Sequence, residues 1–417
     1  MSRVLILTTN FWPEPTGIAI YSTDLAKTIQ SNGFEVTIFT GIPHYPWWRV
    51  PKEFEHITPG ESFLNGVRIV RTRHYIPSKV NALIRFLFEI SLWFNLVKSI
   101  RKISEQNIVS VIAFMPTIAA GLVGKKIAKK IGVPLGLIIQ DLSGLGATQS
   151  GLKGGQLFSR LAKFIERRLI LSASRIVTIS PAMTKRISEF GVLRDHITQI
   201  GNYSVRIIKP ENRLSSRQAF GWSEDMFIVI HSGNMGSKQN LENVIDAAHA
   251  LEVEKDVKIF LVGHGNQETK LKILCLDKPN IQVMEAVSEE NFSRLLASAD
   301  ILLINERYTQ TEMSLPSKIT SYLRSGRPVL AAVPRYGSTW EYLEGIAELV
   351  EAGNPHALAN AILRLKKDES RRSVLAEKGL KFAAQELNPG KAQTRYMNWV
   401  RDLVDDGNKG DSLGKNH

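Results

Sequence analysis

Short apolar runs of strand length alternate along the chain with longer stretches in which apolar side chains recur every three or four positions. Arg3 to Thr8 reads as a strand, Thr9 to Gly17 as a loop, Ile18 to Ser31 as a helix stopped at Gly33, and Glu35 to Thr40 as the next strand. That is a βαβ unit. The pattern continues with strand Val67 to Arg71, helical sequence around Val80 to Ser104, strand Val109 to Phe114 and helix Ile118 to Ile131. Strand Leu135 to Gln140, helix Phe158 to Ser172 and strand Arg175 to Ile179 complete the first series. After the stretch Gly201 to Pro210 a second series begins, with strands Phe227 to Ser232, Lys258 to Val262, Ile281 to Met284, Ile301 to Ile304 and Val329 to Ala332. Helices Leu241 to Leu251, Gln267 to Leu276, Glu289 to Ala297 and Ser317 to Ser325 separate them. Alternation of this kind predicts an α/β fold built of two doubly wound sheets.

At 417 residues the chain exceeds one ordinary core, so two lobes with a cleft are expected. The pattern divides it into an N-terminal Rossmann-like domain at 1–205 and a C-terminal one at 206–390. A helix at 391–404 is expected to pack back on the N-terminal domain, and 405–417 to form a disordered tail.

Composition narrows the setting. The single cysteine, Cys275, excludes an internal disulfide and a cysteine-based metal site. The apolar run Val4 to Leu7 is too short for a signal peptide, so the expected location is the cytoplasm. The net charge of +13 is one-sided: residues 1–200 hold 25 Lys/Arg against 12 Asp/Glu, whereas residues 201–417 hold 28 of each. An anionic partner for the N-terminal half is the implied consequence.

Three constellations carry candidate chemistry. In Pro13-Glu14-Pro15-Thr16-Gly17-Ile18 a glycine opens a helix, where N–H groups and the helix dipole can face a phosphate. The loop lacks the three glycines of a dinucleotide fingerprint, which disfavours a dehydrogenase. The equivalent loop of the second half is His231-Ser232-Gly233-Asn234-Met235-Gly236-Ser237-Lys238-Gln239-Asn240-Leu241, in which Gly236 and Lys238 at a helix start suit a diphosphate. The third is Leu315-Pro316-Ser317-Lys318, where Ser317 can cap a helix and Lys318 sits in its first turn. A cation there opposes the helix dipole, which points to a ligand anion as its partner.

These motifs, together with Ile42-Pro43-His44-Tyr45-Pro46 and Gln140-Asp141-Leu142, resemble the retaining GT-B glycosyltransferases, and most nearly the colanic-acid and capsular-polysaccharide branch. The resemblance spans residues 1 to about 390. It implies two Rossmann-like domains facing a central cleft, and transfer of a sugar from a nucleotide-sugar donor to a saccharide or lipid-linked acceptor in cell-surface polysaccharide biosynthesis. Gly17, Gly236, Lys238, Ser317 and Lys318 would hold the donor diphosphate, and Gly263, Glu285, Ala286, Val287 and Ser321 the nucleotide. No metal or other cofactor is required by it. The chain departs from the family pattern at three places. Asn234 stands where many relatives carry an arginine, and Met313 and Ser321 occupy the register of a glutamate pair that Glu306 and Glu312 do not restore. Phe114, in Ala113-Phe114-Met115-Pro116, replaces a donor-contacting histidine, which leaves Asp141 as the polar candidate for catalysis. His44, flanked by Pro43 and Tyr45, is a candidate acceptor contact.

Residues Leu83 to Val97 are strongly apolar but interrupted by Arg85 and Glu89, too short and charged to span a bilayer. Followed by Lys98, Arg101 and Lys102, they suit an interfacial helix on an anionic membrane, which extends the expected location to the inner face of the plasma membrane. No nucleic-acid motif accompanies the charge. The rival readings are a sugar-nucleotide epimerase of the same architecture and a non-catalytic nucleotide-sugar-binding partner.

Overall fold

The structure is a computed structural model and describes residues 1–15, 17–77, 82–101, 107–142, 155–203, 208–308 and 315–414. The chain forms two compact units, one of Met1–Val205 with Pro389–His417 and one of Arg206–Asn388.

The first unit is an eight-stranded sheet. Its strands are β1 (Arg3–Leu7), β2 (Glu35–Gly41), β3 (Gly60–Leu64), β4 (Val67–Thr72), β5 (Ile108–Met115), β6 (Leu135–Ile139), β7 (Arg175–Thr178) and β8 (Ile197–Gln199). They lie in the order β3-β4-β2-β1-β5-β6-β7-β8, parallel throughout except for the antiparallel edge strand β3. Strands β1 and β5 are almost wholly buried, as continuous runs of Val, Ile and Leu covered on both faces must be. Helices α1 (Ile18–Ser31), α2 (Ala82–Ile100), α3 (Ile118–Ile131), α4 (Gly155–Ile170) and α5 (Pro181–Glu189) connect the strands. Sheet growth reverses between β1 and β5, so their C-terminal ends form the topological switch point where doubly wound sheets bind ligands.

The second unit carries β9 (Phe227–Ser232), β10 (Val257–Val262), β11 (Ile281–Met284), β12 (Ile301–Asn305), β13 (Val329–Val333) and β14 (Glu348–Glu351). Their order, β11-β10-β9-β12-β13-β14, is parallel throughout, with the switch point between β9 and β12. Its helices are α6 (Arg213–Ala219), α7 (Glu242–Ala250), α8 (Glu268–Leu274), α9 (Glu289–Ser298), α10 (Lys318–Arg324), α11 (Ser338–Leu343), α12 (Pro355–Lys367) and α13 (Glu369–Glu386). A buried ion pair ties its base together: Arg217 meets Asp300 at 2.5 Å, and Asp300 also accepts the Ile228 N–H at 2.7 Å.

The last helix, α14 (Pro389–Gly414), belongs to the first unit and corrects the expectation of a disordered tail from Asp405. Residues 405–414 are helical, and 415–417 lie outside the described residues. Arg175 bridges to Asp406 at 2.6 Å and to Asp402 at 3.5 Å, charges that the sequence places on one face of a helix. Gly407 lets the helix close on Pro134, where a Cβ would stand 2.7 Å from the ring. Gly136 in β6 does the same for Trp399, since a Cβ there would lie 2.6 Å from the indole. Trp399 is 1% exposed in the core of the first unit. Trp399→Ala should therefore lower that unit's stability by about 3–5 kcal/mol, read as the shift of its urea transition; an unchanged midpoint would show that α14 is not part of the fold.

Candidate functional site

Two loops at the C-terminal edge of the second sheet are locked together by glycine. Gly233 follows β9 with φ 136° and Gly263 follows β10 with φ 145°, backbone that L side chains rarely adopt. A Cβ on Gly263 would stand 2.0 Å from the Gly233 carbonyl oxygen, and one on Gly265 2.4 Å from that of Met235. The close approach is sealed by backbone bonds: the Gly233 N–H donates to Val262 at 2.9 Å and the Met235 N–H to His264 at 2.8 Å. Gly263 therefore shapes the rim of this pair of loops. Across the switch point, Asn305 at the end of β12 donates to the carbonyls of Gln239 at 2.7 Å and Asn240 at 2.9 Å, fixing the far end of the same loop.

Helix α10 is attached to this rim by Tyr322, whose hydroxyl accepts the Ser232 N–H at 2.7 Å and donates to the Ser232 carbonyl at 3.2 Å. That anchor carries Lys318 to the end of β9, where its ammonium donates to His231 Nε2 at 2.8 Å. The other ring nitrogen, Nδ1, lies 3.2 Å from the Leu303 carbonyl and must be the protonated one, because a carbonyl only accepts. A Cβ on Gly233 would stand 3.3 Å from the Lys318 Nζ, so the second glycine loop and the lysine of the third motif meet at one point. Burial pulls the Lys318 ammonium down to about 7, opposed by the nearby Glu306 carboxylate, and burial beside that lysine keeps His231 neutral well below its ordinary range.

The other predicted residues fall around this point in different ways. Lys238 is exposed on a single 3₁₀ turn, Ser237–Gln239, and not at a helix start, because Asn240 takes a left-handed conformation and α7 begins only at Glu242. Gly236 opens that turn, its N–H held by the Gln239 side chain at 3.1 Å. Ser317 is exposed and makes no side-chain cap on α10, its backbone being already helical. Ser321 is buried within α10. Glu285 and Ala286 are exposed and Val287 half-buried, all following β11 two strands from β9. Glu306 accepts from Thr339 at 2.9 Å, whereas Glu312, Met313 and Ser314 lie outside the described residues.

In the first unit Gly17 is the N-cap of α1, with φ 65°. A Cβ there would press to 3.0 Å from the Tyr45 ring. Tyr45 is held in turn by Glu14, whose buried carboxylate accepts the N–H groups of His44 at 2.7 Å and Tyr45 at 2.8 Å, and a side-chain bond from Asn10 at 2.7 Å. Burial raises Glu14 to about 7 despite those donors and the Arg71 guanidinium. His44 is 2% exposed, packed against Trp48, His74 and Phe88, with Nδ1 at 3.0 Å from the Ile42 carbonyl. Enclosed this way it supports the loop and presents no surface to an acceptor, which corrects its assignment as an acceptor contact. Asp141 follows β6 at the same edge of the sheet, half-buried, its carboxylate accepting the Leu142 N–H at 2.8 Å. Phe114 is a buried core residue of β5. The N-terminus of α3, beside the switch point, is capped by Glu89 of α2, which accepts the Ala119 N–H at 2.9 Å.

His231, Tyr322, Glu14 and Glu89 are the residues that sequence reasoning did not single out. His231 had a signal, as an imidazole directly after the apolar run Phe227 to Ile230 of its strand.

With both switch points described, comparison with known proteins gives the class. Residues 16–203 match the family described as Glycosyl transferase 4-like domain, and residues 212–382 match Glycosyl transferases group 1. The chain is 27% identical to the putative colanic acid biosynthesis glycosyl transferase WcaI of Escherichia coli (strain K12), over 96% of this chain and 100% of that one. In fold it is similar to sucrose-phosphate synthase from Thermosynechococcus elongatus, at a TM-score of 0.77 and 15% identity over 97% of this chain and 100% of that one. It is also similar to HepE of Anabaena in complex with UDP, at 0.70 and 16% over 96% and 100%. The chain is a glycosyltransferase of the GT-B fold, carrying one family domain in each half.

Gly263→Ala should force the Gly233 carbonyl away and open the rim, costing about 3 kcal/mol or more and abolishing nucleotide binding. Wild-type thermal stability and nucleotide affinity in that variant would contradict the interlock.

Proposed function

We propose that the protein transfers a sugar, with retention of anomeric configuration, from a nucleotide-diphosphate donor to a lipid-linked saccharide acceptor in cell-surface polysaccharide synthesis. The observation that carries the reading is the Lys318 ammonium at the C-terminal end of β9, beside the glycine-locked loop. A half-buried cation at a switch point, partnered by a neutral ring, is suited to an anion arriving from solvent. Lys238, exposed on the turn of the same loop, is assigned the second contact. As the glycosidic bond breaks, negative charge grows on the leaving diphosphate, and cations and N–H groups fixed there stabilise it. The acceptor hydroxyl attacks the same face of the sugar, so no strong enzymic nucleophile is needed and the charge is met by lysines without a metal. Gly17 stays an expected diphosphate contact and Asp141 the candidate polar group for catalysis, both carried by the family resemblance alone. The relative WcaI, named for colanic acid biosynthesis, supports the polysaccharide setting, and HepE, solved with UDP and with UDP-glucose, supports a nucleotide-sugar donor.

Incubation with a nucleotide-sugar panel and a lipid-linked saccharide should give acceptor-dependent nucleotide release, lost at least a hundredfold in Lys318→Ala and Lys238→Ala while both remain folded. Full activity in both variants would refute the diphosphate assignment, and acceptor-free isomerisation would favour an epimerase.

The acceptor is proposed to be met at an anionic membrane surface. Among the described residues no helix is long and apolar enough to cross a membrane. Helix α2 buries Phe88, Leu92 and Leu96 at helical spacing but leaves Phe86, Leu87 and Phe94 exposed. The neighbouring α4 exposes Phe164 beneath the Arg168 guanidinium at 4.8 Å. Aromatic side chains beside cations suit the headgroup region of acidic lipid. The protein should co-sediment with phosphatidylglycerol vesicles at low salt and be released by high salt; no co-sedimentation would remove the membrane from the proposal.

A further inference from the structure

His231 opens the second glycine-loop motif without a role in the nucleotide-sugar reading, yet it is wholly buried at the end of β9 and touches Lys318, the lysine that carries that reading. Its ring is fixed from two sides. Nδ1 lies 3.2 Å from the Leu303 carbonyl of β12, across the switch point, and the Asn234 backbone also meets the ring; with Nδ1–H given to Leu303, the lone pair of Nε2 faces α10. The Lys318 ammonium occupies that lone pair at 2.8 Å. A lysine stem has four rotatable bonds and loses much of its freedom on being held in one place. The imidazole supplies that hold without supplying charge, so the ammonium keeps its full positive charge for a second, anionic partner.

We propose that His231 is a positioning residue that fixes the Lys318 ammonium as a directed donor for the donor diphosphate and makes anion binding at this point depend on pH. The inference rests on the reading of Lys318 as a diphosphate ligand. Among the described residues, the charged and titratable groups around Lys318 are few. His231 stands on β9 and Glu306 follows β12, held there by Thr339 of α11. On α10 itself Tyr322 is buried and stays protonated, its hydroxyl spent on Ser232. Glu306 and the His231 lone pair favour the ammonium, and burial opposes it. The sign follows. The ammonium is complete below the Lys318 midpoint, near 7, and is lost as pH rises through it, so anion affinity falls over the same interval. A bound diphosphate would in turn raise the midpoint, since it adds a charge favouring the ammonium. Removing the imidazole takes away one of the two groups that favour the charged form, so the midpoint must drop.

The test has a part without ligand and a part with it. In the full chain with ¹³C at the lysine ε-carbon, the Lys318 resonance, identified by its loss in Lys318→Ala, should titrate near 7. In His231→Phe it should titrate lower by about one pH unit, and in His231→Gln, whose amide carbonyl can accept from the ammonium, it should return toward the wild-type value. UDP-glucose serves as the probe ligand, because its doubly esterified diphosphate does not titrate over this interval. Its affinity should fall as wild-type pH rises through 7 and should be about tenfold weaker in His231→Phe at neutral pH. An unmoved Lys318 midpoint in His231→Phe overturns the positioning role. A moved midpoint together with UDP-glucose affinity that ignores both pH and Lys318→Ala leaves the pair intact and overturns the diphosphate reading. Should His231→Phe fail to fold, the ¹⁵N spectrum of the wild-type imidazole decides: Nε2 as the unprotonated, accepting nitrogen on both sides of the Lys318 midpoint supports the proposal, and a protonated Nε2 overturns it.

Discussion

A cation drawn partly out of water must find a partner, and the C-terminal edge of the second sheet is organised around the two that Lys318 has among the described residues. A neutral imidazole at 2.8 Å and the field of Glu306 hold the ammonium without neutralising it at close range. A carboxylate in direct contact would have formed a closed ion pair with nothing left for a ligand. Everything nearby serves this arrangement. The positive φ of Gly233 leaves room for the lysine tip, Gly263 lets the adjoining loop pass beneath, and Tyr322 pins α10 to β9 so that the lysine cannot retreat.

The first unit solves the complementary problem with a buried anion. Glu14 replaces water by three N–H donors, two from the backbone of residues 44 and 45, and so shapes the loop that stands over Gly17. Burial still pushes its carboxyl up to about 7, with Arg71 opposing the shift. Here charge is used to fix backbone near a glycine, whereas in the second unit backbone is used to fix a charge. A third carboxylate, Glu89, caps α3 from a neighbouring helix, so the N–H of Ala119 at that switch point is already committed.

Much of this was legible in the sequence because it follows from period. The parallel strands are short runs of apolar residues buried on both faces, and their helices repeat at helical spacing, so β1, β9 and β12 with their connections can be read directly. The loop glycines were legible as turn residues too, since Gly233 and Gly263 take backbone that L side chains rarely adopt. What escaped depends on contacts that sequence spacing does not encode. Edge strand β3 is exposed along its length and shows no alternation, and β8 has only three residues. The order in α14 beyond Asp405 comes from Arg175, more than two hundred positions away. His44 looked accessible beside prolines and aromatics, but those aromatics enclose it. The partnership of His231 with Lys318 joins residues 87 positions apart and has no signature beyond an imidazole at the end of an apolar run.

Whether the Lys318 ammonium at the end of β9 binds a donor diphosphate is decided by a crystal structure of the protein with UDP. A phosphate oxygen is expected within hydrogen-bonding distance of Lys318 Nζ, about 2.7–3.2 Å, with His231 Nε2 still accepting from the same ammonium. A diphosphate bound elsewhere, with Lys318 still held by His231 alone, would contradict it.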